Sequence, residues 1–141
     1  GCVKSAAQLR DLDCGGNGLG DHGGRLLVEA LHESEPHTLE RLAMGDSGCG
    51  IQTSNALQTM LRKRVPKGSG SAGLRVLELP NNRLTDECAA VLAEGLTRCL
   101  TLMRLLLFRN MINDRGAEAL AQGLELQRSN RDLPPGYDQP G

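Results

Sequence analysis

Apolar residues recur along this chain in one template that appears four times. The copies read Leu9-x-x-Leu12-x-Cys14-x-x-Asn17-x-Leu19, Leu39-x-x-Leu42-x-Met44-x-x-Ser47-x-Cys49, Leu74-x-x-Leu77-x-Leu79-x-x-Asn82-x-Leu84 and Leu102-x-x-Leu105-x-Leu107-x-x-Asn110-x-Ile112. Their first leucines lie 30, 35 and 28 residues apart, in the range where self-similarity means stacked units. A second apolar set follows in fixed register: Leu26, Leu27, Ala30 and Leu31, then Ala56, Leu57, Met60 and Leu61, then Val91, Leu92, Gly95 and Leu96, then Ala119, Leu120, Gly123 and Leu124. The two sets differ in period. Leu12 and Cys14 alternate with polar neighbours, which predicts a short strand with one buried face. The later residues fall at i, i+1, i+4 and i+5, one face of a helix. Between them lie Gly20-Asp21, Thr85-Asp86-Glu87 and Asn113-Asp114, residues suited to accept the unpaired N–H groups of a helix start. Each unit is thus a strand, a turn and a helix. One unit alone cannot bury its apolar side, whereas a stack can.

With its turn and full helix, the pattern resembles the ribonuclease-inhibitor-like leucine-rich repeats over residues 9–124. The resemblance implies an α/β fold: a right-handed leucine-rich-repeat solenoid with parallel strands on the concave face and helices on the convex face. It also implies that the asparagine of each unit hydrogen-bonds neighbouring backbones as a ladder. Asn17, Asn82 and Asn110 match that position and Ser47 departs from it. Cys49 and Thr53 also replace the usual leucine and glycine, so the second repeat is predicted to be the weak one. A buried turn asparagine needs partners for its amide, and a ladder role leaves these three with no catalytic duty.

The repeats divide as 9–38, 39–73, 74–101 and 102–124. The second holds a basic loop, 62–73, whose glycines and serines are those of a flexible insertion. Residues 1–8 fall in the register of a link from a preceding helix, or of an N-terminal cap. Past Leu124 the pattern stops, and residues 125–141 read as a C-terminal tail whose Pro134-Pro135 cannot sit inside a helix.

Composition narrows the function. The formal charge is -1, so no whole-chain field draws the protein to nucleic acid or an anionic membrane. Phe108 and Tyr137 are its only aromatics, too few for stacking on single-stranded nucleic acid. No apolar run approaches the ~18 residues of a membrane span. The five cysteines show no C-x-x-C pair and no zinc-ligand spacing to a histidine, so they read as core thiols of a reducing, cytoplasmic protein. Arg62-Lys63-Arg64-x-x-Lys67 has the form of a short nuclear-import run. No catalytic motif, metal cluster or cofactor-binding signature is present in the sequence. The expectation is a non-enzyme without metal or cofactor.

What remains is the strand surface. Residues between the buried ones face the concave side: Asp11, Asp13 and Gly15; Arg41, Ala43 and Gly45; Val76, Glu78 and Pro80; Arg104, Leu106 and Phe108. Its beginning is acidic and its end apolar. Leu105-Leu106-Leu107-Phe108 is apolar on both sides, where an outward face would normally meet water. The partner-binding residues are therefore expected to be Asp11, Asp13, Arg41, Glu78, Arg104, Leu106 and Phe108. The leading reading is a scaffold holding a protein partner, as a module or a subunit of an assembly. A GTPase-activating protein of the Ran-activator type is the alternative that the resemblance implies, and self-association through open ends is a third.

Overall fold

The computed structural model describes residues 9–33, 38–62 and 73–131. Residues 1–8, most of the basic loop and the end of the tail lie outside the described residues. Four three-residue strands, β1 (Asp11–Asp13), β2 (Arg41–Ala43), β3 (Val76–Glu78) and β4 (Arg104–Leu106), alternate with four helices. The helices are α1 (Gly20–Glu33), α2 (Ile51–Leu61), α3 (Asp86–Arg98) and α4 (Asp114–Arg131). The strands form one parallel sheet in sequence order, in the register Leu12, Leu42, Leu77, Leu105. That register equals the template spacing, so equivalent residues of each repeat form columns across the stack.

Two layers close on a single apolar seam. Leu42, Met44, Leu77, Leu79 and Leu84 from the strands and turns, with Val28, Leu57, Leu92 and Leu96 from the helices, are completely buried. Each contributes roughly 1.5–3 kcal/mol by leaving water. On the strand side only the two interior repeats reach this limit. Leu12 and Leu105, on the outer strands, remain partly exposed because among the described residues each has a neighbouring strand on one side only.

The turn after each strand needs a left-handed residue, and the column shows it: Gly16, Asp46, Asn81 and Arg109 all have positive φ. Glycine, aspartate and asparagine tolerate this conformation. An arginine pays for its Cβ there.

The ladder follows. Asn82 accepts the amides of Ser47 and Cys49 through Oδ1, and its Nδ2 donates to the carbonyls of Met44, Leu79 and Pro80. Asn110 repeats the arrangement against Asn82 and Leu84 on one side and Leu79, Leu107 and Phe108 on the other. Asn17 is exposed and, among the described residues, bonds only to Cys14 and Gly15 of its own turn. Ser47 is too short to reach the first repeat, and its hydroxyl donates to Gly45 in its own turn. The rung missing in the second repeat is met instead by Gly20 N–H, 2.8 Å from the Ser47 carbonyl.

The helix starts depart from the sequence expectation. Thr85 does cap its own helix, accepting from Cys88 N–H. Asp21 and Asp86, however, serve the next helix. The Asp21 carboxylate lies 2.7, 2.9 and 2.8 Å from the amides of Gly50, Gln52 and Thr53 at the start of α2, and 2.9 Å from the Thr53 hydroxyl. Asp86 accepts from Asn113 and Gly116 at the start of α4. Both aspartates lie inside the first turn of their own helix, too far along to cap it, and their side chains face the adjacent repeat. The second repeat has Ile51 in this register, which is why α3 relies on Thr85. The last helix also continues past Leu124 to Arg131. There Gln127 donates to the Cys99 carbonyl and Asn130 to the Thr97 carbonyl at the end of α3.

Candidate interaction surface

Side chains that point away from the helices form three columns over the sheet. The first holds Asp11, Arg41, Val76 and Arg104. Arg41 bridges its neighbours, with Nη1 2.7 Å from Asp11 Oδ1 and Nε 2.6 Å from Glu78 Oε2. The hydrogen bond to Glu78, then that to Asp11, raises the Arg41 pKa well above its ordinary value, so the guanidinium stays charged at any working pH. One cation between two carboxylates leaves this patch net negative. Asp13 adds a charge nearby, its Oδ1 accepting Gly15 N–H at 3.0 Å.

The second column runs Asp13, Ala43, Glu78 and Leu106. The third continues one turn further as Gly15, Gly45, Pro80 and Phe108, a ramp of increasing size. The first three pack closely: a Cβ on Gly15 would lie 2.9 Å from the Gly45 carbonyl, and one on Gly45 would lie 3.0 Å from Pro80. Phe108 ends the ramp 58% exposed. In the same repeat Arg104, Arg109, Met103 and Met111 are exposed and Leu106 is half-buried.

The seven expected contact residues thus fall into two groups. Asp11, Arg41 and Glu78 bond to one another, with Asp13 beside them, while Arg104, Leu106 and Phe108 cluster around β4. Sequence reasoning missed Arg109, Met103 and Met111. The Gly16, Asp46 and Asn81 column was the available signal for Arg109, since arginine is the one member unsuited to positive φ.

Elsewhere, a cleft of about 370 Å³ lies between α1 and α2, lined by Arg25, Glu29, His32, Gln52, Asn55 and Thr59 among others. Arg25 is engaged there by Glu29 and His22, so no free cation faces the cleft from that residue. Cys49, Cys88 and Cys99 are buried, Cys14 partly so. Burial raises the thiol pKa of Cys14 and of Cys49, which disfavours the reactive thiolate. Among the described residues no set of three His, Cys, Asp or Glu side chains is placed to hold a metal ion, and no helix is long and apolar enough to cross a membrane.

No family model matches the chain. It is similar to a Drosophila melanogaster Ran GTPase-activating protein, with 29% identity over 126 residues, covering 87% of this chain and 21% of that protein. The chain therefore spans about a fifth of the length of that curated relative. Among solved structures it resembles the actin-binding site 2 of Leiomodin-1, with a TM-score of 0.63 and 13% identity over 92% of this chain and 89% of the other. It also resembles the tropomodulin C-terminal domain of Caenorhabditis elegans, with a TM-score of 0.54 and 18% identity over 92% and 93%. At these identities the likeness establishes architecture: a parallel-strand, helix-backed solenoid of leucine-rich repeats.

Proposed function

We propose that this chain is a protein-interaction module of the ribonuclease-inhibitor-like repeat kind, gripping its partner at the β4 edge of the strand face. The single observation that carries the reading is Phe108: a phenyl ring 58% exposed, next in sequence to Arg109 and on the strand face that also carries Arg104 and Leu106. Exposed aromatic and arginine groups around an apolar centre are the composition of binding hot spots. The Asp11–Arg41–Glu78 patch and Asp13 supply a negative field at the other end of the face, which suits a partner basic on that side. The repeat length and the full helix in every unit support the subfamily assignment.

The similar proteins nominate two partner classes to try first, actin and a Ran-type GTPase. Binding is to be measured with each, comparing the natural chain with the Leu106→Ala/Phe108→Ala double variant. Loss of binding in the variant at unchanged thermal midpoint supports the proposal. Equal binding by both proteins removes the β4 edge as the contact.

The similarity to a Ran GTPase-activating protein favours a second reading, GTPase activation. Single-turnover hydrolysis of GTP by Ran, with and without the chain, tests it. Acceleration assigns the activity, and an unchanged rate confines the protein to binding.

A further inference from the structure

Charge on the strand side of the molecule is sorted along the stack. Each repeat contributes the residue before its strand, the strand and the turn after it, at 10–18, 40–48, 75–83 and 103–111. In the first two repeats these segments carry Arg10 and Arg41 against Asp11, Asp13, Glu40 and Asp46; in the last two they carry Arg75, Arg83, Arg104 and Arg109 against Glu78 alone. Both arginines of the first half are engaged, Arg10 by Glu40 and Arg41 by Asp11 and Glu78. The bond to Arg41 also occupies the one carboxylate of the second half. The four arginines of the second half are all exposed, and none of them meets a carboxylate among the described residues. Arg75 and Arg83 belong to the third repeat, which has a described repeat on either side. Side chains on a sheet face stand across the direction in which strands are added, so this charge belongs to the strand face and not to an end of the stack.

Register gives these arginines a shape. Arg75 precedes β3, and Arg104 begins β4 as the sheet partner of Val76. Arg83 and Arg109 stand in the turns that follow the same two strands. Between the two pairs, along the strand direction, come half-buried Val76, Pro80 and Leu106 and the exposed Phe108. Guanidinium groups therefore bound an apolar floor where the strands begin and again where they end. A guanidinium presents its donors to a carboxylate as a planar fork, and an apolar floor accepts an apolar side chain.

We infer that the β3 and β4 half of the strand face takes a protein segment whose apolar centre is flanked on both sides by carboxylates. This rests on the reading of the strand face as the contact surface, and adds the chemistry of what is held there. The acidic first half of the face decides against a polyanion such as nucleic acid. A run of phosphates along the stack would meet Asp11, Asp13 and Asp46, and its bases would find in Phe108 the one aromatic ring among the described residues. A partner that is acidic over β3 and β4 and basic over β1 and β2 satisfies both halves. Exposed ion pairs contribute little each, so the arginines act mainly by selecting the partner and fixing the direction in which it lies along the stack.

Fluorescence anisotropy reads the binding to the full chain of a labelled synthetic peptide with a Leu-Phe-Leu centre between triglutamate flanks. The comparisons are the same centre between trilysine flanks, and oligothymidylate. The natural chain is expected to bind the glutamate peptide about tenfold more tightly than the lysine peptide, with a preference that shrinks as salt rises. Arg75→Glu/Arg83→Glu, at exposed sites of the third repeat, is expected to weaken the glutamate peptide about tenfold with an unchanged circular-dichroism spectrum. Arg75→Ala/Arg83→Ala serves, with a smaller loss, should the charge reversal disturb folding. Leu106→Ala/Phe108→Ala keeps all four arginines and reports on the apolar contact separately. If it alone loses the glutamate peptide, and the arginine variants bind like the natural chain, the apolar grip stands and the acidic partner is overturned. If the arginine variants lose the peptide and Leu106→Ala/Phe108→Ala does not, the apolar centre is overturned together with the grip at β4. A natural chain that binds neither peptide, that binds both equally, or that prefers oligothymidylate also overturns the proposal.

Discussion

Replacing Asp21 by alanine tests the idea that carboxylates in one repeat hold the helix starts of the next. Asp21 serves three backbone amides of α2 and the hydroxyl of Thr53, which is itself fully buried. Loss of a helix cap costs ~1 kcal/mol, and a hydrogen bond to a charged group contributes ~1.5–3 kcal/mol. These overlap, because the same amides appear in both, so the combined loss is placed at about 2–3 kcal/mol. For a chain of this size that lowers the thermal midpoint by about 10 °C. Asp114→Ala is the internal control: same residue type, same register, no recipient helix among the described residues, and an expected change within ~0.5 kcal/mol. Differential scanning calorimetry measures both. The pH dependence supplies a second check. Burial pushes the Asp21 carboxyl up, but the amides of Thr53, Gln52 and Gly50 and the Thr53 hydroxyl together outweigh it and hold the pKa below the ordinary value. The unfolded chain therefore binds this proton more tightly. The cap's stabilisation is complete above the unfolded pKa of ~3.9 and is lost as pH falls through the lower, folded value. Asp21→Asn should remove this part of the acid dependence. A loss in Asp114→Ala equal to that in Asp21→Ala, or an Asp21→Ala protein as stable as the natural one, refutes the reasoning.

Asn110→Ala removes a side chain that bonds five backbone groups and should cost about 3 kcal/mol by denaturant titration, against ~0.5–1 kcal/mol for Asn17→Ala, which loses two local bonds. Comparable losses would show that the ladder is not what holds the turns. Arg109→Gly relieves a left-handed arginine and should raise stability by ~1 kcal/mol, while weakening partner binding; a destabilised protein would mean the arginine makes contacts that outweigh its backbone conformation. Phe108→Ala, at an exposed ring, should shift stability by no more than ~0.5 kcal/mol, and a drop of several kcal/mol would place the ring in the core.

The architecture was legible because two periods alternate in one chain, four times over, and a repeat stack translates sequence register directly into spatial columns. Leu12, Leu42, Leu77 and Leu105 are paired in the sheet as the template aligns them. The outward columns were legible for the same reason. What escaped was pairing across columns. Asp11 and Glu78 were readable as acidic surface, but their shared bond to Arg41 couples residues 30 and 37 positions apart and depends on side-chain reach as well as register. The caps were misassigned for a related reason: an aspartate near a helix start has two helices within reach, and local sequence names only one of them. The continuation of α4 was hidden because polar Gln127 and Asn130 fasten it to α3, and an apolar period does not record amides bonded to carbonyls.

These same distinctions decide where binding energy can reside on the strand face. Asp11, Arg41 and Glu78 already satisfy one another, so a partner that claims any of them must break a bond of similar strength and gains little net. Their field acts before contact, on the rate and orientation of approach. Phe108 is different. No hydrogen bond ties its ring, and burying the 58% of its surface that is exposed releases about 1–1.5 kcal/mol before any contribution from arginines on the same face. Charge at the β1 end and grip at the β4 end should therefore separate kinetically. Raising salt should slow association with little effect on dissociation, whereas trimming Phe108 should speed dissociation with little effect on association.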